Sequence, residues 1–263
     1  MGTRHRIGAS LAVLPLLLGV AACNGSEMNA PESGATAGNN GEASGPEFTP
    51  ANFAPRLIEA QAKAGTAHLD GSIDAGQAGK IELSGDLRLD SAEPAAQLTL
   101  TSALLGQGIE AIILDKTMYL KIPGLSAERP WMEMKLDTGP FAGAGLGALD
   151  TTSMLKGLEG ALSLKSRGQE SIDGVDTTRY QVSVDAAKAL AAQGVRDLSA
   201  LGLSGDKAKI EYDIWVDGED LVRKIAMDIG SYALQMTLSD YGKPVEIEAP
   251  PQSQVGDSPM LTG

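Results

Sequence analysis

Ile81-Glu82-Leu83-Ser84-Gly85-Asp86-Leu87-Arg88-Leu89-Asp90 alternates apolar and polar residues with a period of two. Successive side chains of a β-strand point to opposite faces, so this stretch has a dry face carrying Ile81, Leu83, Leu87 and Leu89 and a charged face opposite. A sheet wetted on one side only is antiparallel, because parallel sheets are covered on both. The same phase returns in Leu98 and Leu100, in Met118, Leu120 and Ile122, in Met132, Met134 and Leu136, and in Tyr180, Val182 and Val184. It continues through Ile210, Tyr212, Ile214 and Val216, then Ile225, Met227 and Ile229, and finally Leu234, Met236 and Leu238. Strands of this number and amphipathicity form one large curled sheet with a greasy concave side. Asp173-Gly174 lies between two strand patterns and suits a two-residue hairpin, since both positions tolerate positive φ. Asp217-Gly218-Glu219-Asp220 is placed to close another.

Helical signals are few. Thr49-Pro50 offers an N-cap followed by proline at the first helical position, and a stripe of Phe53, Leu57 and Ile58 runs to about Ala64, where Gly65 ends it. Asp185 caps a short Ala-rich helix that stops at Gly194, and Thr151 to Leu158 reads as a third. The expected fold class is α+β, a large curved antiparallel sheet with a few helices packed on the concave face.

The chain begins differently. Arg4, His5 and Arg6 precede an apolar run from Ile7 to Val20, followed by Ala21, Ala22 and Cys23. Roughly 20 apolar residues are needed to cross a bilayer, and this run is shorter and interrupted by Pro15, so residues 1–22 read as an export signal. Val20-Ala21-Ala22-Cys23 resembles a lipobox with Cys23 as the lipidated residue; the alternative is an ordinary signal peptide with a chance cysteine. Cys23 is the only cysteine in the sequence, so the exported domain stands without disulfides. Two or three acyl chains on Cys23 suffice for stable anchoring at the outer face of the cell membrane.

Loss of residues 1–22 leaves 19 basic against 34 acidic residues, a net charge of −15. That argues against nucleic acid and against electrostatic docking on anionic lipid, both of which need basic surface. His68 becomes the one histidine of the mature chain. Without a second histidine or a free thiol, a zinc or copper site is not expected, and His68 reads as a strand surface residue. Residues 23–47 hold the lipidated cysteine and a tether of Asn, Gly, Ser, Glu, Ala and Pro, too polar to order itself, with a reach of roughly 25 to 30 Å. Residues 48–251 form the folded domain, and 252–263, which lack periodicity, are expected to be a flexible tail.

Three stretches carry a resemblance: Gly174-Val175-Asp176-Thr177-Thr178-Arg179-Tyr180, Trp215-Val216-Asp217 with Leu221-Val222-Arg223-Lys224, and Leu238-Ser239-Asp240-Tyr241-Gly242-Lys243-Pro244-Val245. They are similar to late-strand motifs of the actinobacterial LppX/LprAFG-like lipoprotein family, whose architecture, shared with the LolA/LolB carriers, is a half-barrel. The resemblance covers most of the chain after the tether, and its motifs are hairpin signatures, which bear on fold more than on ligand. It implies a helix-capped antiparallel half-barrel with an apolar cavity for acyl chains of envelope lipids, palmitate-like in length, and envelope transport proteins as partners of a monomer.

Composition gives an independent reason to expect a cavity. Trp, Tyr and Phe number only 2, 5 and 3, so small and flexible side chains must cover a broad sheet. Methionine repacks easily around a variable guest. The expected cavity residues are Leu83, Leu87, Leu98, Leu100, Met118, Leu120, Met132, Met134, Leu136, Ile214, Ile225, Met227, Leu234 and Met236; the alternative is that they fill an ordinary core. Gly139 to Leu149 is uncharged, Gly-rich and apolar, and is expected to be a mobile lid with Phe141, Leu146 and Leu149 touching acyl chains, or else a connection without function.

Catalytic constellations are lacking. No Gly-x-Ser-x-Gly elbow occurs, the cysteine belongs to the anchor, and acidic pairs such as Glu219/Asp220 and Asp173/Asp176 fall in turns. No enzyme activity and no cofactor are expected. The reading is a membrane-anchored carrier or presenter of lipids or glycolipids, with a non-carrier scaffold or partner-binding lipoprotein as the alternative.

Overall fold

The first strand of the chain lies in the middle of the sheet. The computed structural model describes residues 47–256, apart from positions 75, 77–78, 91, 104–107, 115, 125–127, 137–150, 193–207 and 230–231. From β1 (Thr66–Asp74) a meander runs outward through β2 (Lys80–Arg88), β3 (Ala95–Ser102), β4 (Ile109–Leu114), β5 (Thr117–Lys121) and β6 (Trp131–Lys135). A second meander comes back from the far edge: β7 (Ser163–Ile172), β8 (Val175–Asp185), β9 (Lys209–Asp217), β10 (Val222–Ile229) and β11 (Tyr232–Ser239), which pairs with β1. These eleven strands are antiparallel throughout, and β12 (Val255–Gly256) adds to β6 in parallel. The large antiparallel sheet expected from the alternation is present.

Register puts the alternating apolar residues on one face. Leu83 lies opposite Gly71 and Leu100, and Leu87 opposite Ala67 and Ala96. Leu69, Gly71 and Ile73 meet Leu238, Met236 and Leu234. The chain also forms α1 (Phe53–Ala64), α2 (Thr151–Lys156) and α3 (Ala186–Ala192), whose Phe53, Leu57, Leu155 and Leu190 share one core cluster with Leu83, Leu98, Ile214 and Met236.

Local chemistry explains the element ends. Thr49 and Asn52 cap α1 reciprocally: the Thr49 N–H donates to Asn52 Oδ1 at 2.7 Å and the Asn52 N–H to Thr49 Oγ1 at 3.3 Å, a capping box with asparagine in the usual glutamate place. Gly65 closes the helix at φ 81°, donating to the Gln61 carbonyl. Asp185 Oδ1 accepts the Lys188 N–H at 3.0 Å, as a cap of α3 should. Asp173 at φ 50° and Gly174 at φ 82° form the two-residue β7–β8 turn. In the β9–β10 turn the buried Asp217 accepts from the Glu219 and Leu221 N–H groups and from Arg223 Nε at 2.6 Å.

Gln252–Gln254 make a 3₁₀ turn, and Val255 and Gly256 pair with Trp131 and Met132. The physical reason is a second, smaller core on the polar face, where Ile247 packs with Ala95, Ile112, Tyr119 and Trp131, joined by Leu114, Val245 and Val255. The chain after β11 starts this crossing where the Gly242 N–H donates to the Thr66 carbonyl at 3.1 Å and Thr66 Oγ1 to the Lys243 carbonyl at 2.7 Å. It ends at β6. Over part of β4 to β6 the second face is therefore covered as well, which accounts for the unbroken apolar runs Ile112-Ile113-Leu114 and Met118-Tyr119-Leu120.

A candidate apolar binding face

All fourteen residues expected to line a cavity share the phase of the apolar face. Ten are buried: Leu83, Leu87, Leu98, Met118, Met132, Met134, Ile214, Ile225, Leu234 and Met236. Leu100, Leu120, Leu136 and Met227 are half-buried. They fall into two groups. Leu83, Leu87, Leu98, Ile214, Ile225, Leu234 and Met236 sit in the main core. Met118, Met132 and Met134 form a separate cluster, flanked by Leu120, Ile122 and Leu136, with Met118 opposite Met134 and Leu120 opposite Met132. Ile113 touches both groups.

Burial falls along the strands toward one end of this face. Leu69, Leu87, Leu98 and Leu238 are 1–2% exposed. At the other end of the same strands lies a row of large apolar residues that, apart from the buried Leu234, are only partly covered: Met227 lies opposite Leu234, Leu234 opposite Ile73, Ile73 opposite Ile81, and, one step along, Leu100 opposite Ile109. Pairing of Glu110 with Lys121 sets Ile122 beside Ile109. Ile73, Ile81, Leu100, Ile109, Ile122 and Met227 are all half-buried. The row is continuous from β10 to β2, where Ser102 stands opposite Ile81, and resumes one step along with Leu100, Ile109 and Ile122. Ile73, Ile81, Ile109 and Ile122 were not among the expected cavity residues. For Ile81 and Ile122 the alternation already held the signal, whereas Gly71-Ser72 blurs it before Ile73 and the apolar run of β4 blurs it at Ile109.

The polar face carries the titratable groups. His68 lies on it in β1, its Nδ1 2.7 Å from Asp86 Oδ1 and its Nε2 3.4 Å from Ser84 Oγ. Nothing local pairs Ser84 with His68; the register between β1 and β2 brings them together. Asp70 Oδ2 also lies 3.6 Å from Nε2, so a carboxylate competes with the hydroxyl for that nitrogen on an open strand surface. Among the described residues no group of three or more His, Cys, Asp or Glu is placed to hold a metal. Of the acidic pairs in turns, Asp220 is held by Arg56, with Nε at 3.0 Å and Nη2 at 2.7 Å. Glu219, Asp220 and Asp176 border a cleft of about 790 Å³ with Glu47, Phe48 and Tyr180. Phe48 is fixed there between Phe53 and Tyr180, at centroid distances of 5.0 and 5.3 Å, under the Arg56 guanidinium at 4.0 Å.

Cys23 and the lid residues Phe141, Leu146 and Leu149 lie outside the described residues. Among those described, no helix is long and apolar enough to cross a membrane.

Comparison with known proteins agrees with this architecture. The chain is similar to LprF from Mycobacterium bovis, at 17% identity and a TM-score of 0.50 over 77% of this chain and 99% of that one. It is similar to the lipoprotein LppX of Mycobacterium tuberculosis at 20% identity and a TM-score of 0.49, over 74% and 98%. A 31.2 kDa protein from the rplA–rplJ intergenic region of Streptomyces griseus is 32% identical over 113 residues, 39% of this chain and 37% of that relative, so the chain spans little more than a third of its length. The LppX_LprAFG lipoprotein profile matches residues 66–247, which take in every strand from β1 to β11, and the chain therefore belongs to the LppX_LprAFG lipoprotein family.

Proposed function

We propose that this protein is exported, anchored through lipidated Cys23 to the outer face of the cell membrane, and holds acyl chains of lipids or glycolipids against the apolar face of its sheet, to carry or present them within the envelope. The observation that carries this reading is the in-register row Met227, Leu234, Ile73, Ile81, Leu100 and Ile109, where the apolar face is left partly uncovered. Transfer energetics favour such a design. Each methylene taken out of water contributes about 0.8 kcal/mol, so a 16-carbon chain forfeits roughly 12 kcal/mol on leaving a bilayer unless an equally dry surface receives it. The methionine cluster supplies side chains that adapt to guests of different shape. Membership of a lipoprotein family supports the anchor.

Ile73→Asp combined with Ile109→Asp places two charges on this row, at positions that are half-buried and lie at the margin of the main core. Binding of a fluorescent fatty acid is expected to fall at least tenfold, since a buried unpaired carboxylate is costly, while circular dichroism stays as in the parent. Unchanged binding would sink the reading. The segment with Phe141, Leu146 and Leu149 is proposed as the cover of this opening; Phe141→Asp with Leu146→Asp should reduce uptake without loss of fold, and unchanged uptake removes the cover from the scheme.

A further inference from the structure

Helix α1 buries one polar side chain. Phe53, Leu57 and Gln61 follow one another at intervals of four along α1 and so share a face, and all three are buried, Gln61 with 4% of its surface exposed. Phe53 and Leu57 lie in the core cluster with Leu83, Leu87 and Leu98. The Gln61 carboxamide oxygen, Oε1, is buried without a hydrogen-bond partner. Two other buried polar side chains are provided for: Thr177 Oγ1 donates to the Glu170 carbonyl at 2.6 Å, and Asp217 accepts three donors. A buried acceptor without a donor destabilises the fold, and leucine or methionine would serve α1 equally well as a helix former without that cost. The missing donor is then one that the described residues do not provide.

We propose that Gln61 Oε1 accepts a hydrogen bond from the bound lipid, and that the favoured ligand is an acyl lipid with a hydroxyl on its chain rather than plain hydrocarbon. The inference rests on the acyl-binding reading above and adds the ligand's chemistry to it. Position narrows the class further. Gln61 stands one helical turn before Gly65, whose carbonyl accepts the Leu89 N–H at 2.8 Å. Leu89 follows β2 at the end remote from Ile81, and the strand between them spans roughly 25 Å at about 3.3 Å per residue. A chain entering at the half-buried row reaches Gln61 with its distal portion. The hydroxyl thus belongs toward the methyl end, away from the headgroup. An unsubstituted chain leaves Oε1 unpaired, which is how a hydrogen-bonding site discriminates against a ligand lacking its partner.

The test uses the full chain freed of co-purifying lipid, octadecanoate, and a series of hydroxyoctadecanoates with the hydroxyl moved stepwise from the carboxyl to the methyl end. A distal isomer should bind about tenfold more tightly than octadecanoate, with no such margin for isomers hydroxylated beside the carboxylate. Gln61→Met, which keeps length and helix propensity, should abolish the margin and raise the Tm of the lipid-free protein. The proposal is overturned if no isomer is preferred, if the preference survives in Gln61→Met, or if that variant's Tm falls, which would mean that the amide is already paired. If the parent protein binds none of these chains, the acyl-binding reading itself is lost, and this inference with it.

Discussion

Gly85 has no room for a side chain. A Cβ there would stand 2.0 Å from the Gln97 carbonyl oxygen and 2.8 Å from Leu98 Cα, both backbone atoms of the neighbouring strand. Gly71, nearby on the same face, would meet the Gln235 carbonyl at 2.9 Å. Gly85→Ala is expected to destabilise by about 3 kcal/mol in urea unfolding, with the slope unchanged, because β2 and β3 must move apart to admit one methyl group. A second prediction concerns Tyr241, whose hydroxyl donates to the Val222 carbonyl at 2.5 Å. Burial pushes its phenol well above the ordinary tyrosine value, against the opposing charge of Arg223. A raised value in the folded state means that the neutral form is favoured there, so this contribution to stability is complete below about pH 10 and is lost as pH rises beyond it. Tyr241→Phe should flatten that alkaline limb in pH-dependent denaturation and cost about 1 kcal/mol at neutral pH, since the Val222 carbonyl loses its donor. Neither residue stands out in the sequence. Gly85 merely fills an apolar slot, and the need for glycine arises only from how closely two strands approach.

At the level of elements, strands and hairpins were readable because one face of the sheet is wet. Alternation located β2, β3, β5, β6 and β8 to β11, and Asp173-Gly174 marked its turn through the positive φ at both positions. Where both faces are covered the signal vanishes. In β4, Ile112 and Leu114 turn toward Ile247 and its neighbours while Ile113 faces the other side, so the pattern is a plain apolar run. The covering chain after β11 was equally hidden: Val245, Ile247 and Val255 are isolated among prolines and acids, and nothing local indicates that they cross to β6. Ile247→Ala is expected to cost about 2 kcal/mol. Hydrogen exchange should accelerate in β5 and β6, next to the cavity so created, with β8 and β9 keeping their protection; uniform acceleration across the sheet would mean that the crossing segment stabilises the whole fold cooperatively.

Among the described residues, the sheet is built on two meanders joined where β1 meets β11. Alternation reveals which residues share a face but not the order of strands, because any amphipathic strand satisfies its neighbour in the same way. The central position of β1 therefore had to come from the fold, while the shared face came from the sequence. The candidate site divides similarly: the fourteen expected residues lie on one face, yet which part of it is left uncovered depends on where α1 to α3 rest, and that placed Ile73 and Ile109 in a row with Met227. The central claim is that this face lodges acyl chains. Native intact-mass analysis of the protein isolated from its own host tests it most directly. The expected result is a species heavier than the covalently lipidated chain by the mass of one lipid, several hundred daltons, which organic extraction removes. A mass equal to the lipidated polypeptide alone, before any extraction, would contradict the claim.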